Sequence, residues 1–152
     1  MPSQRLKKFL DENNADYEVI PHELAFKAVD VAKMGNVAAR EMAKPVIVMI
    51  KDSPAMIVVP ASYKVNLVNL SQVFEAEVSL IPETQFGRLF PDCEIGAMPP
   101  FGHLYDMPVY VTESLSEDED IAFNAGSHVE LIRMPYSEFE SLVNPGMVVL
   151  DN

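Results

Sequence analysis

The chain has 152 residues, 49% of them apolar and 22% charged, and carries a net charge of −12 at pH 7. That balance suits a globular protein and excludes a disordered polymer, and no apolar run nears the roughly 20 residues needed to cross a bilayer. An acidic excess this large also argues against a protein that grips nucleic acid through a broad basic face. A chain of about 150 residues buries roughly 68–70% of its unfolded surface, so residues 1–152 read as one domain with a real core.

The start, Met1-Pro2-Ser3-Gln4-Arg5, leads into a mixed polar helix without the apolar block of a signal peptide, so a cytoplasmic location is expected. Ser3 is placed to cap that helix, in which Leu6, Phe9 and Leu10 share a face and Asn13-Asn14 is the stop. Tyr17 to Ile20 reads as a short strand, Ala28 to Met34 as a helix broken by Gly35-Asn36, and Val37 to Met42 as a short helical stretch. Val46 to Ile50 and Ala55 to Val59 form an apolar hairpin across the four-residue loop Lys51-Asp52-Ser53-Pro54, with Pro45 tolerated at the strand start.

Asn66 to Phe74 and Glu83 to Phe90 read as helices, and Val109 to Thr112, Ile121 to Asn124 and Val129 to Arg133 as strands. The acidic residues Glu113, Glu117, Asp118, Glu119 and Asp120 suggest one solvated loop. A last helix begins at Pro135, carries Phe139, Leu142 and Val143, and ends at Asn144-Pro145-Gly146. Helices first, strands in the middle and a helix at the end give an α+β order, and the sheet is expected to be curved, mixed, mostly antiparallel and barrel-like, with helices around it.

The most strongly shaped stretch is Gly96-Ala97-Met98-Pro99-Pro100-Phe101-Gly102. Glycine permits close approach or a positive φ, and each proline fixes φ and deletes an N–H, so the remaining amides are held in one orientation and can face an oxygen. Lys44 stands at the mouth of the apolar run from Val46 to Ile50. Other chemistries lack their signatures. Cys93, the single cysteine, sits between Asp92 and Glu94, a poor setting for a thiolate. His22, His103 and His128 are scattered, with no HExxH or paired CxxC, so no metal or other cofactor is expected. Neither a GxSxG elbow nor a phosphate-binding P-loop occurs.

Lysine opening the first long core strand, a Gly-x-x-x-Pro loop some fifty residues on, Phe101-Gly102 after it and Ala125-Gly126-Ser127-His128 near the end form an ordered set. In these residues the chain resembles the YbaK/prolyl-tRNA synthetase associated domain family from His22 to Val143, a family that hydrolyses misacylated tRNA. The resemblance implies that fold, with Lys44 as the active-site lysine supplying positive charge. It implies that the backbone of Gly96, Ala97 and Met98 holds the ester carbonyl or orients water. His22, Pro99, Pro100, Phe101, Gly102, Gly126, Ser127 and His128 become substrate-binding candidates. A water nucleophile helped by the substrate's own ribose hydroxyl is implied, so no metal or cofactor is called for. The implied partners are the acceptor end of an aminoacyl-tRNA and a synthetase, with no membrane. Pro45 departs from the family pattern, where an ordinary strand residue is usual after the lysine.

Pocket size would then select a small amino acid such as alanine. Two alternatives stay open from the sequence: a non-catalytic module of the same fold that docks on a basic partner, and another small-ester or nucleotide-binding enzyme on that scaffold.

Overall fold

The structure, a computed structural model, describes residues 3–150, so Met1 and Pro2 of the expected start and the last two residues of the expected domain lie outside the described residues. Helix α1 (Gln4–Glu12) is capped by Ser3, whose Oγ accepts from Leu6 N–H at 3.3 Å. Its Leu6 and Leu10, four residues apart on one face, are fully buried, each stabilising the fold by about 1.5–3 kcal/mol. Strand β1 (Glu18–Pro21) follows, then α2 (Ala28–Met34) and a single 3-10 turn at Ala39–Glu41.

Strands β2 (Ala43–Ile50) and β3 (Ser53–Pro60) make the expected hairpin, but longer. The loop is only Lys51-Asp52, with Lys51 at φ 57°, and Pro54 pairs with Met49 inside the ladder. Pro45 lies third in β2 instead of first. It is tolerated there because β4 (Val78–Leu80) pairs only with Val48 to Ile50, leaving the second edge of β2 without a partner strand at Pro45. Helix α3 (Leu67–Phe74) is capped by Asn66, whose Oδ1 accepts from Val68 and Asn69 N–H at 2.9 and 3.2 Å. Helix α4 (Glu83–Leu89) leads to the glycine-proline loop, and a 3-10 turn spans Gly102–Tyr105.

The remaining elements are β5 (Val109–Thr112), α5 (Glu113–Ser116), β6 (Asp120–Asn124), β7 (Glu130–Pro135), α6 (Tyr136–Val143) and β8 (Gly146–Val148). The α+β mixed character expected from the sequence is present, but among the described residues the strands do not close a barrel. They form an antiparallel sheet β1-β7-β6 and a mixed sheet β4-β2-β3-β5-β8, in which β5 runs parallel to β3 and to β8. Among the described residues one parallel bridge, Met42 to Ala122, joins the two.

Strand β3 explains why the central hairpin is apolar on both faces. Met56 and Val58 enter the main core with Phe101, Phe123 and Phe139, while Ile57 and Val59 pack against Leu70 of α3 and Val78. A third, smaller cluster of Val31 and Ala32 from α2 with Met42, Ala122 and Leu131 fills the junction of the sheets. No helix among the described residues is long and apolar enough to cross a membrane.

Candidate functional site

A cavity of about 450 Å³ opens over the junction of the sheets. Lys44 and Pro45 reach it from β2, Ala61 from just beyond β3, and Asn124 from the end of β6. Gly96 and Met98 form the wall carried by the glycine-proline loop, and Phe26 to Val29 form the wall leading into α2. The chain thus brings Lys44 and the loop together across some fifty residues, as the sequence suggested.

Lys44 is half-buried, and its Nζ donates to Tyr63 O at 3.2 Å. Among the described residues no carboxylate lies within ion-pair distance of it, and no Asp or Glu lines the cavity, whereas Lys27 does. Partial burial lowers the Lys44 pKa from its ordinary value, because loss of water disfavours the charged form. An acidic protein therefore holds a cationic pocket.

The loop wall is fixed by a zipper of backbone hydrogen bonds to the turn after β6. Glu94 N–H donates to Gly126 O at 2.8 Å, and Gly126 N–H donates to Ala97 O at 2.9 Å. His128 reinforces it twice. Its backbone N–H donates to Glu94 Oε2 at 2.9 Å, and its Nε2 donates to Ile95 O at 2.8 Å, since a carbonyl can only accept. The Phe26 ring covers the imidazole, centroids 4.7 Å apart, and is 64% exposed on the cavity rim. Gly96 at φ 86° and Gly126 at φ 101° occupy backbone regions that favour glycine.

A second set of contacts braces this wall from behind. Ser3 N–H donates to Ala125 O at 2.7 Å, and Ser3 Oγ donates to Asp92, which also accepts from Tyr105 OH at 2.8 Å. Burial pushes the Asp92 carboxyl up, but the hydrogen bonds from Ser3 and Tyr105, with the Arg5 charge, hold it below its ordinary value. Burial also pushes the neighbouring Cys93 thiol up to about 11.

The other sequence candidates fall into different places. Ala97 is buried, and its N–H donates to Glu94 O at 3.0 Å within the loop. Gly96 N–H meets only the weak acceptor Met98 Sδ at 3.2 Å. Pro99 and Pro100 are buried behind the wall. Phe101 sits in the core, 5.3 Å from the Phe123 ring and 5.5 Å from Phe139, and a side chain at Gly102 would meet Met107 at 2.9 Å, so both anchor the loop. Ser127 is buried with its Oγ unpartnered. His22 lies outside the cavity lining: its backbone extends the β1 ladder to Val129, and its Nδ1 donates to Glu23 O at 2.6 Å.

Sequence reasoning missed Asn124 and the Phe26-Lys27 segment. The available signal for Asn124 was a polar residue ending the apolar run Ile121-Ala122-Phe123, directly before a turn.

Comparison with known proteins bears on the family and the fold. The chain is 25% identical over 151 residues to the Multifunctional Ser/Thr-tRNA deacylase ProXp-y of Escherichia coli K12, an alignment covering 95% of this chain and 90% of that one. Among solved structures, a candidate trans-editing enzyme for prolyl tRNA synthetase superposes with a TM-score of 0.85 at 16% identity, covering 99% of this chain and 96% of the other. The hypothetical protein APE2540 does so with a TM-score of 0.87 at 13% identity, covering 98% and 100%. Residues 22–142 match the model of the aminoacyl-tRNA editing domain, and the chain belongs to that family.

Proposed function

We propose that this protein is a trans-editing deacylase, which hydrolyses the ester joining a small amino acid to the acceptor end of a mischarged tRNA. Water attacks the ester carbonyl carbon, the carbonyl oxygen takes up negative charge, and the ribose oxygen leaves with a proton, releasing free amino acid and tRNA. Lys44 provides a cation for the terminal phosphate or the developing oxyanion. Gly96 and Met98 present backbone from the facing wall. A donor aimed at such developing charge is worth on the order of 3 kcal/mol, or about a hundredfold in rate.

The observation that carries this reading is the setting of Lys44: half-buried, without a carboxylate partner among the described residues, in a cavity lined by no acid. A lysine kept only for solubility has no reason to be placed so. Its three N–H donors exceed the one bond to Tyr63, leaving donors for a ligand oxygen. The relative's activity on Ser/Thr-tRNA supports a small acyl group.

The test is deacylation of a panel of tRNAs mischarged with alanine, serine, cysteine, threonine and proline, with wild type beside Lys44→Ala. Rapid hydrolysis of a small aminoacyl ester, reduced at least about a hundredfold in the variant, is the expected result. No hydrolysis across the panel would favour the second reading, a binding module whose net charge of −12 docks on a basic partner such as a synthetase.

A further inference from the structure

Asn124 ends β6 and lines the cavity, is only 5% exposed, and has an Oδ1 with no hydrogen-bond partner. A buried amide acceptor without a donor is disfavoured, so at a cavity wall it marks a place where a ligand supplies the donor. An aminoacyl ester offers two such donors beyond its ribose: the α-ammonium, and a side-chain hydroxyl where there is one.

The lining distinguishes them. Lys27 and Lys44 face the same cavity and no Asp or Glu does, so an ammonium at Asn124 would meet like charge with no acidic side chain of the lining to offset it. A hydroxyl is neutral and escapes that penalty. The apolar neighbours Pro45, Ala61 and Met98 leave Asn124 as the uncharged polar side chain of the lining.

We infer that Asn124 Oδ1 accepts a hydrogen bond from the side-chain hydroxyl of the esterified amino acid, which makes Asn124 the residue that selects serine and threonine over alanine. Alanine is small enough to enter but leaves the amide unpaired. Cysteine offers only a weak donor. Selection of this kind reads a functional group, where size exclusion alone separates substrates by one methylene at only about 10–200-fold.

This inference rests on the deacylase reading, and the experiment separates their failures. One tRNA is charged with serine or with alanine, and kcat/KM is measured for wild type, Asn124→Leu and Asn124→Ala, each checked by thermal melting. Wild type is expected to favour the seryl ester by about ten- to a hundredfold, and the ratio is expected to collapse toward one in both variants. Equal kcat/KM for the two esters in wild type overturns the inference without any variant having to fold, and leaves the deacylase reading intact. So does a folded variant that loses both esters in proportion. Hydrolysis of neither ester by wild type overturns it as well, and the five-ester panel then decides whether the deacylase reading falls with it.

Discussion

Lys44 and Asn124 stand at matching positions, each two residues beyond a partner of the Met42–Ala122 bridge, and both line the same cavity. Side chains two apart on a strand share a face, so this bridge between the sheets brings a cation and an uncharged acceptor to the one cavity. On the proposed reading, Lys44 deals with charge and Asn124 with a neutral donor.

Lys44 is poorly placed for stability. Its folded-state pKa is lowered, so the penalty of holding it charged is fully present at neutral pH and vanishes as pH rises through the unfolded value near 10.4. Lys44→Met is expected to melt no lower than wild type at pH 7, while losing at least about a hundredfold in deacylation. The stability difference should shrink between about pH 8 and pH 11. A variant that melts well below wild type at pH 7 would show Lys44 to be a packing residue.

The two positive-φ glycines are expected to differ in tolerance. At Gly96 an added Cβ makes an ordinary 3.5 Å contact with His128, so Gly96→Ala should cost only the backbone strain, about 1–2 kcal/mol. At Gly126 the Cβ would lie 2.9 Å from Ser3 Cβ and 3.1 Å from Ser3 N, so Gly126→Ala should cost about 2–4 kcal/mol. Urea melts of the pair test that order.

Removing the imidazole should loosen the loop without unfolding the protein. His128→Ala loses the bond to Ile95 O, and about a tenfold fall in kcat/KM is expected with little change in melting temperature. Glutamine can donate in the same direction, so His128→Gln should recover part of that loss. Equal activity in all three proteins would show that the bond to Ile95 does not position the loop.

Asp92 should make the brace pH-dependent. Its folded-state pKa is lowered, so its contribution is present above the unfolded value near 3.9 and is lost as pH falls through the folded one. Asp92→Asn is expected to be less stable than wild type by about 1–2 kcal/mol at pH 7, with the difference narrowing toward about pH 2.5. Urea titrations at the two pH values measure it.

Cys93 should be chemically quiet. With its thiol pushed up to about 11, little thiolate exists at pH 7.5, and iodoacetamide is expected to modify it slowly and to leave the deacylation rate unchanged. Rapid inactivation would contradict a structural role for this residue.

Helices α1, α3 and α6 were legible because their apolar spacing is set by the face they bury, and the central hairpin because its two runs are apolar on both faces. The three-residue strands β4 and β8 were not, since so short a run shows no period, and Gly146 read naturally as the end of a helix. Glu113 to Ser116 was hidden inside an acidic stretch that resembles a loop, yet Leu115 pins it to the core as α5. Lys44 and the Gly96–Met98 wall were legible as a pair because order and residue type distinguish them. Asn124 was not, because its meaning depends on the orphaned Oδ1, which only the folded arrangement exposes. Phe101 was taken with the loop it follows, whereas its ring had a deeper place among Phe9, Phe123 and Phe139.

Because a single backbone bridge joins the sheets among the described residues, the walls carrying Lys44 and Asn124 belong to separately hydrogen-bonded sheets, and side-chain packing at their junction helps set the spacing. Ala122, buried with Val31, Met42 and Leu131, is the residue β6 contributes to that packing. Lengthening it to valine would act as a shim, shifting the upper limit on acyl size while leaving every group that meets the substrate chemically unchanged.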